Sequence, residues 1–302
     1  MLHPDPELIK RFELQLDPLR IESSPVKARL IGFGEISSII ELEDLPGVVL
    51  KRMPMFSNER QAEEYLEKYK KYCALLTTAG VNLPEDGAVI VGKSPQLTVL
   101  YFAQEKLDTS CVGNRLIHTL SEDEISELVK RVLSAIYGVW DFNKKHPGNE
   151  IAIDSQISNW ALLKASDKLV YLDTSTPLFR INHHEQMDPE LILTSAPSFG
   201  RAIIRRFFLK DILDRYYDEK AVNTDLVANL YKEQKPELIP LFLDAVNRFS
   251  NDKLTAKEIA DYYREDKFIW QLFLALRKID RFLHKYVYRK QYQFILPGKI
   301  KR

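Results

Sequence analysis

The hydrophobic pattern of this 302-residue chain changes near Gln104. Before Gln104, short β-branched runs are separated by glycine and proline, which is typical of antiparallel strands and tight turns. After it, apolar residues recur almost entirely at helical spacing. No run of about 18 apolar residues occurs in the sequence, which predicts no membrane span. The pattern therefore predicts an α+β protein in which a small sheet-containing part precedes a larger helical part.

The part before Gln104 contains five predicted strands and one predicted helix. Asn58 and Gln61 resemble a capping box, so a helix is expected to begin there, and Gly80 is expected to end it. The predicted strands lie at 28–31, 38–42, 48–51, 88–91 and 97–102. The resulting order is three strands, a helix and two more strands.

The part after Gln104 is expected to be mainly helical. Ser121 and Glu124 form a second capping box, which opens a helix that runs to about Lys144. A short hairpin-like region is predicted over 151–172. The later helices are predicted at 202–217, 225–231, 236–249, 255–263 and 267–288. The last one has a broad apolar face that we expect to pack into the core: Phe268, Ile269, Leu272, Phe273, Leu276, Ile279, Phe282 and Leu283.

Composition excludes several functional classes. The 43 Lys and Arg balance the 43 Asp and Glu, which argues against nucleic-acid binding driven by phosphate neutralisation. Cys73 and Cys111 are the only cysteines, so neither a disulfide framework nor a zinc site is expected. The N-terminus lacks the pattern of a signal peptide, and we expect a cytoplasmic protein. Zero net charge is compatible with a homodimer.

Two features of the first part are candidates for phosphate binding. Gly32 and Gly34 lie between two predicted strands, where glycines let backbone N–H groups approach phosphate oxygens closely. Lys51 ends an apolar run, and it would neutralise phosphate charge if an acid of the next helix held it in place. That helix offers Glu59, Glu63, Glu64 and Glu67. Each feature alone is more often a turn or a solvated surface.

A third candidate lies in the predicted hairpin region. Asp154 and Asn159 are five residues apart, and Asp173 follows an apolar strand. Phosphoryl transfer with a metal ion needs a carboxylate near the acceptor hydroxyl and hard oxygen ligands for magnesium. These three residues supply both, although a pair with the spacing of Asp154 and Asn159 arises by chance about once in such a chain.

Taken in order, these features resemble the protein-kinase-like fold, in particular its small-molecule branch of the aminoglycoside phosphotransferase and choline kinase type. The resemblance runs from about Leu30 to Asp173. It implies two lobes, with a small antiparallel sheet and one helix in the N-lobe and a larger, mainly helical C-lobe. We accordingly expect an N-terminal extension at 1–25, an N-lobe at 26–104 and a C-lobe at 105–302.

The resemblance also implies roles for individual residues. It assigns ATP contacts to a glycine loop and to a hinge whose backbone binds adenine, and it assigns magnesium to an asparagine and an aspartate. Glu67 is the favoured partner of Lys51, with Glu63 and Glu64 left open. The implied catalytic residues are Asp154, Lys51 and Glu67; the nucleotide contacts are Gly32, Gly34, Ser37, Lys51, Gln104, Glu105 and Lys106; the metal ligands are Asn159 and Asp173.

The sequence also departs from the family pattern. Ala152 stands where the family has a histidine, and Thr174 and Ser175 follow Asp173 in place of an aromatic residue and glycine. No Ala-Pro-Glu motif follows, which weighs against a regulated protein kinase. The favoured function is ATP- and magnesium-dependent transfer of the γ-phosphate to a hydroxyl of a small molecule. A nucleotide-binding pseudokinase, a protein kinase and an AMP-transferring enzyme stay open as alternatives.

Overall fold

A five-stranded antiparallel sheet forms the N-terminal lobe. The computed structural model describes residues 2–33, 37–194, 201 and 213–296. The sheet order is β1-β2-β3-β5-β4, and helix α2 connects β3 to β4. The elements are α1 (Pro6–Gln15), β1 (Ala28–Phe33), β2 (Ser38–Leu42), β3 (Val48–Phe56), α2 (Glu59–Thr78), β4 (Asp86–Ser94) and β5 (Leu97–Glu105). The predicted order of strands and helix is confirmed, and several strands are longer than predicted.

The ends of α2 follow from the residues identified in the sequence. The Asn58 side chain accepts a hydrogen bond from the Gln61 N–H at 2.9 Å, which satisfies one of the unpaired donors of the first turn. The Gln61 side chain in turn accepts from the Ser57 N–H. Gly80 has φ of +87°, a left-handed conformation that favours glycine and stops the helix.

The two faces of the sheet are covered by different elements. Helix α2 packs on one face, together with part of the C-terminal lobe. Helix α1, which lies in the predicted N-terminal extension, covers the other face. The buried residues on that second face include Leu8, Ile9, Phe12, Ile40, Leu50, Val99 and Tyr101.

A fully buried ion pair holds α1 on the sheet. The Arg52 guanidinium donates to both carboxylate oxygens of Glu13, at 2.6 and 2.8 Å, and both side chains have no exposed surface. Lys93 and Tyr101 also donate to Glu13. Burial alone would raise the pKa of Glu13, but Arg52 and Lys93 outweigh it and lower the pKa to about 2.

In the part of the chain that the structure describes, the C-terminal lobe combines helices with two small sheets. Strand β6 pairs with β9 and β9 with β10, while β7 and β8 form a separate hairpin. The elements are α3 (Gly113–Leu116), α4 (Glu122–Lys145), β6 (Asn149–Ile151), β7 (Trp160–Leu163), β8 (Lys168–Tyr171), β9 (Phe179–Ile181), β10 (His184–Glu185), α5 (Pro189–Thr194), α6 (Glu219–Lys232), α7 (Ile239–Phe249) and α8 (Ala256–Tyr286). The capping box of Ser121 and Glu124 is confirmed at the start of α4. The predicted α+β class is confirmed.

Two predictions about the last helices are wrong. The segments 255–263 and 267–288 form one continuous helix, α8, because Arg264, Glu265 and Asp266 between them are compatible with a helix interior. The predicted core face of this helix is largely exposed, with Phe268 66% and Phe282 57% accessible. The helix packs inward through other positions, and Ile259, Arg277 and Asp280 are buried.

Two further observations concern the helices. Most of the predicted helix at 202–217 falls on 202–212, which lies outside the described residues, as do Arg205 and Arg206. None of the helices in the described ranges is both long and apolar enough to cross a membrane.

The Glu13–Arg52 pair predicts a specific loss of stability. Glu13→Gln leaves the buried Arg52 charge without its counter-charge, and we expect the free energy of unfolding at pH 7 to fall by about 3 to 5 kcal/mol. The pKa of Glu13 is lower in the folded chain than its ordinary value of 4.5. The stabilisation is therefore present above pH 4.5 and is lost as the pH falls towards 2. Urea unfolding across this pH range measures both effects.

Glu43→Gln is the matched control, because Glu43 pairs with Lys27 at 3.3 Å on the surface. We expect this substitution to change the free energy of unfolding by less than about 1 kcal/mol at every pH. Equal effects of Glu13→Gln and Glu43→Gln would contradict a structural role for the buried pair.

Candidate functional site

Strand β3 places Lys51 on the face of the sheet that meets the C-terminal lobe. Lys51 pairs in register with Ile39 of β2 and Phe102 of β5, so it lies in the middle of the sheet. Its side chain is buried. The Lys51 ammonium donates to the Leu172 carbonyl at 2.9 Å and to Asp173 Oδ1 at 3.1 Å. A buried lysine therefore joins the sheet to the loop that follows β8.

That loop, residues 172–175, is held from several sides. The Gln104 amide donates to the Leu172 carbonyl at 3.0 Å and to Thr174 Oγ1 at 3.2 Å. The Ser175 hydroxyl donates to Asp173 Oδ1 at 3.2 Å. Thr174 and Ser175 are buried, while about a third of the Asp173 side chain is exposed. The loop is thus fixed, and it presents the Asp173 carboxylate at the boundary between the lobes.

Asp154 and Asn159 lie beside this loop, between β6 and β7. The Asn159 carbonyl accepts from the Leu172 N–H at 2.8 Å, which joins the two segments directly. The Asn159 side-chain amide donates to the Asp154 carbonyl at 3.4 Å, and its oxygen makes no hydrogen bond with the residues that the structure describes. Asp154 Oδ1 accepts from the Gln156 N–H at 3.1 Å. The structure therefore brings Lys51, Asp154, Asn159 and Asp173 into one region.

The electrostatic surroundings of Asp154 favour its neutral form. Burial raises its pKa, and the carboxylates of Asp225 and Asp173 raise it further, to about 7. Asp225 lies on α6, where it accepts from the Tyr262 hydroxyl at 3.0 Å. A carboxyl group with a pKa near neutrality is suited to accept or donate a proton under ordinary conditions.

Three tyrosines of α2 connect this helix to the site. They occur at positions 65, 69 and 72, a spacing that places them on one face of a helix. The Tyr65 hydroxyl donates to the Ser175 carbonyl at 2.8 Å, and the Tyr72 hydroxyl donates to the Ala152 carbonyl at 2.7 Å. Tyr69 contacts Thr174 and donates to Asp86. Tyrosine hydroxyls therefore attach α2 to both the 172–175 loop and the Asp154 segment.

The acids of α2 do not reach Lys51, contrary to the prediction for Glu67. Glu67 pairs with Lys70 and Glu64 with Arg60, both on the exposed face of the helix. Glu63 is also exposed. The tyrosines occupy the face that points inward, so the counter-charge of Lys51 comes from Asp173 instead.

The predicted glycine loop is described only in part. Gly32 lies in β1 opposite Ile39, where a Cβ atom would approach Ile39 Cδ1 to 3.1 Å, so this position favours glycine. Ser37 directly precedes β2. Gly34 lies outside the described residues. The contacts of this loop with a nucleotide stay a prediction.

The hinge predicted at Gln104, Glu105 and Lys106 differs from the expectation in its backbone N–H groups. The Glu105 N–H donates to the Glu85 carbonyl and the Lys106 N–H to the Gly47 carbonyl, both at 2.9 Å. These two N–H groups are hydrogen-bonded within the N-terminal lobe, so they cannot donate to an adenine ring. The side chain of Gln104 is likewise turned to the 172–175 loop.

A cavity of about 420 Å³ adjoins the hinge. Glu41 lies in its wall and pairs with Lys106 at 2.7 Å and with Arg29 at 2.5 Å. Hydrogen bonds from Lys106 and Arg29 lower the pKa of Glu41. The wall of the cavity combines charged side chains with apolar ones, among them Leu42, Leu45 and Val48.

Comparisons with known proteins give a matching family model and similarities to solved structures. A family model described as "Family of unknown function (DUF6206)" matches residues 43–281. No curated protein matches the chain. Among solved structures, a cysteine-to-alanine mutant of the PknI kinase domain from Mycobacterium tuberculosis is similar, with a TM-score of 0.36 and 14% identity. That similarity covers 80% of this chain and 94% of the kinase domain.

The tyrosines of α2 give a prediction for the site. Tyr65→Phe and Tyr72→Phe each leave a buried carbonyl without its donor, which costs about 1 to 3 kcal/mol of unfolding free energy. Because Tyr65 binds Ser175, Tyr65→Phe is also expected to speed amide hydrogen exchange in the 172–175 loop. Denaturant unfolding and exchange mass spectrometry measure the two effects.

Tyr231→Phe serves as the matched control. Tyr231 stacks on Tyr263 at 4.6 Å, and its hydroxyl makes no hydrogen bond with the residues that the structure describes. Its substitution is expected to change stability by less than about 0.5 kcal/mol. If Tyr65→Phe left exchange in the loop unchanged, the tyrosine contact would not be what orders it.

Proposed function

Because this chain belongs to a family of unknown function, DUF6206, we propose its activity from its own residues: it transfers the γ-phosphoryl group of ATP, with magnesium, to the hydroxyl of a small molecule. The observation that carries the proposal is the contact of the buried Lys51 side chain with Asp173 and the Leu172 carbonyl, next to Asp154 and Asn159. A cation and two carboxylates close to one another are groups that phosphoryl transfer requires.

Lys51 is the phosphate-binding group of this proposal. Its ammonium is buried and is held by one carboxylate and one carbonyl, which keeps a positive charge at a fixed place on the sheet. Phosphate oxygens are strong acceptors for such a group, and the charge is worth more in a water-poor cleft than in water. Lys51 therefore orients the α- and β-phosphates of the nucleotide.

Asp173 and Asn159 fit a magnesium ion. Asp173 offers a partly exposed carboxylate, and the Asn159 amide nitrogen is engaged by the Asp154 carbonyl, which leaves the amide oxygen as a ligand. Magnesium is commonly held by one or two protein oxygens together with substrate phosphates. In the described ranges no cluster of three or more His, Cys, Asp or Glu forms a metal site. A bound magnesium ion would neutralise the negative charge that develops on the phosphate oxygens during transfer.

Asp154 is the base of the proposed reaction. Its carboxylate accepts the proton of the acceptor hydroxyl as the hydroxyl oxygen forms its bond to the γ-phosphorus. The bond from that phosphorus to the bridging oxygen breaks, and ADP leaves with the electron pair. The raised pKa of Asp154 gives it the affinity to hold this proton near neutral pH.

A small-molecule acceptor is favoured over a protein by the segment after Asp173. The sequence after Asp173 lacks the Ala-Pro-Glu motif that closes the activation segment of a protein kinase. This supports the aminoglycoside phosphotransferase and choline kinase branch as the interpretation of the resemblance.

Nucleotide binding is the first test. ATP with magnesium at about 100 times its dissociation constant is expected to stabilise the wild type by about 2.7 kcal/mol, measured by thermal unfolding. Asp173→Asn is expected to abolish the effect of magnesium on ATP binding. Lys51→Met is expected to weaken ATP binding both with and without magnesium. Asp167→Asn is the control, because Asp167 lies in the exposed turn between β7 and β8. If ATP with magnesium stabilised neither the wild type nor the control, the proposal would be overturned.

Turnover is the second test. ATP labelled at the γ- or the α-phosphate is incubated with a panel of hydroxyl compounds, and transfer of the γ-label to a compound is the expected result. Asp154→Asn is expected to lower this rate by about 10²- to 10⁴-fold while ATP binding is retained. Binding without transfer would instead indicate a nucleotide-binding pseudokinase. Label in a protein, or α-label in a product, would indicate the two remaining alternatives.

A further inference from the structure

A chain of polar side chains next to Asp173 joins four different parts of the fold. Asp86 lies on β4, Gln104 on β5 and Tyr69 on α2, while Thr174 belongs to the loop after β8. Asp86 and Gln104 are direct partners in the register of the two strands. Gln104, Tyr69 and Thr174 are buried. The polar chain therefore links the sheet, the helix and the loop that carries the Asp173 carboxylate.

The direction of each hydrogen bond in the polar chain follows from the number of protons available. Asp86 only accepts as a carboxylate, so the Tyr69 hydroxyl donates its one proton to it. The oxygen atoms of Tyr69 and Thr174 are 3.4 Å apart. Because the Tyr69 proton is already used, the Thr174 hydroxyl is the donor between these two. The Thr174 oxygen in turn accepts from the Gln104 amide at 3.2 Å, so the three bonds run in one direction from Gln104 to Asp86.

This direction fixes the orientation of the Gln104 amide group. Its nitrogen has two protons, one for Thr174 Oγ1 and one for the Leu172 carbonyl at 3.0 Å. A reversed amide would place its oxygen against the Leu172 carbonyl oxygen, which is repulsive. Leu172 and Thr174 are the residues directly before and after Asp173. One side chain thus holds the loop on both sides of Asp173, which restricts the direction of its carboxylate.

Tyr69 connects the position of α2 to the same loop. Its ring packs on Phe102 of β5, with 4.2 Å between the ring centroids. Burial raises the pKa of the Tyr69 hydroxyl, so this group keeps its proton. The helix is therefore attached to Thr174 by a neutral hydroxyl, whereas its acids lie on the exposed face.

We propose that Gln104, Thr174 and Tyr69 are positioning residues, whose hydrogen bonds hold the Asp173 carboxylate in the orientation that binds magnesium. The role rests on the proposed function, since it concerns the magnesium site of the phosphoryl transfer. Groups that orient a metal ligand typically change metal affinity or activity by about 10- to 100-fold when they are removed. Loss of the polar chain is thus expected to weaken ATP binding in the presence of magnesium and to leave ATP binding without magnesium unchanged.

Two substitutions of Thr174 separate its hydroxyl from its volume. Thr174→Val keeps the shape of the side chain and removes the hydroxyl, while Thr174→Ser keeps the hydroxyl and removes a methyl group. Calorimetric titration measures ATP binding in excess magnesium and, separately, in EDTA. Thr174→Val is expected to raise the dissociation constant in magnesium by about tenfold and the constant in EDTA by less than about twofold. Thr174→Ser is expected to stay within about twofold of the wild type in both conditions.

Tyr69→Phe tests the far end of the polar chain. It keeps the ring on Phe102 and removes the acceptor of the Thr174 proton. We expect the ATP dissociation constant in magnesium to rise at least about threefold, with the constant in EDTA unchanged. Thr77→Val is the matched control, because Thr77 also lies on α2 and its hydroxyl donates to the Cys73 carbonyl of the same helix at 2.9 Å. It is expected to change neither constant by more than about twofold.

Circular dichroism and thermal unfolding identify the variants that are folded, and either Thr174→Val or Tyr69→Phe suffices for the test. If Thr174→Val bound ATP with magnesium as tightly as the wild type, the positioning role would be overturned. Equal losses in Thr174→Val and Thr174→Ser would also overturn it, because they would indicate packing of the side chain. If magnesium did not strengthen ATP binding even in the wild type, the proposed function would fail, and the positioning role would fail with it.

Discussion

Two adjacent basic residues on the central strand of the sheet set the main constraint on this structure. Side chains alternate along a strand, so Lys51 and Arg52 point to opposite faces, and both are buried. A buried charge is costly unless it is paired and hydrogen-bonded. Arg52 forms an ion pair with Glu13 of α1, and Lys51 forms one with Asp173 of the other lobe. One strand thus joins the N-terminal helix on one side to the candidate site on the other.

The candidate site could be predicted from sequence only through the order of its motifs. Lys51, Asp154, Asn159 and Asp173 carry little information singly, and the resemblance to the kinase-like fold is what groups them. The partner of Lys51 was predicted wrongly, since α2 carries acids and tyrosines on different faces. The inward spacing of Tyr65, Tyr69 and Tyr72 was visible in the sequence, but helical periodicity alone does not tell which face is buried.

The fold was predictable where local signals agree, as at the caps of Asn58 and Ser121 and in the order of the strands. It was not predictable where the outcome depends on distant partners. Helix α1 is held on the sheet by the ion pair of its Glu13 with Arg52, and these two residues are 39 positions apart in the sequence. The apolar face of α8 has the same spacing whether it packs on its own domain or on another molecule, so only the structure reveals that it is exposed.

The end of α8 is also connected to the strand that carries the site. After α8 the chain returns to the N-terminal lobe, where the Gln293 carbonyl accepts from Arg52 at 2.7 Å and Ile295 packs against the α1 side of the sheet. Displacing this segment would leave part of the buried Arg52 guanidinium without an acceptor, which is unfavourable. The C-terminal segment is therefore fixed relative to β3. Through Gln293, the segment that follows α8 thus contacts the residue next to Lys51.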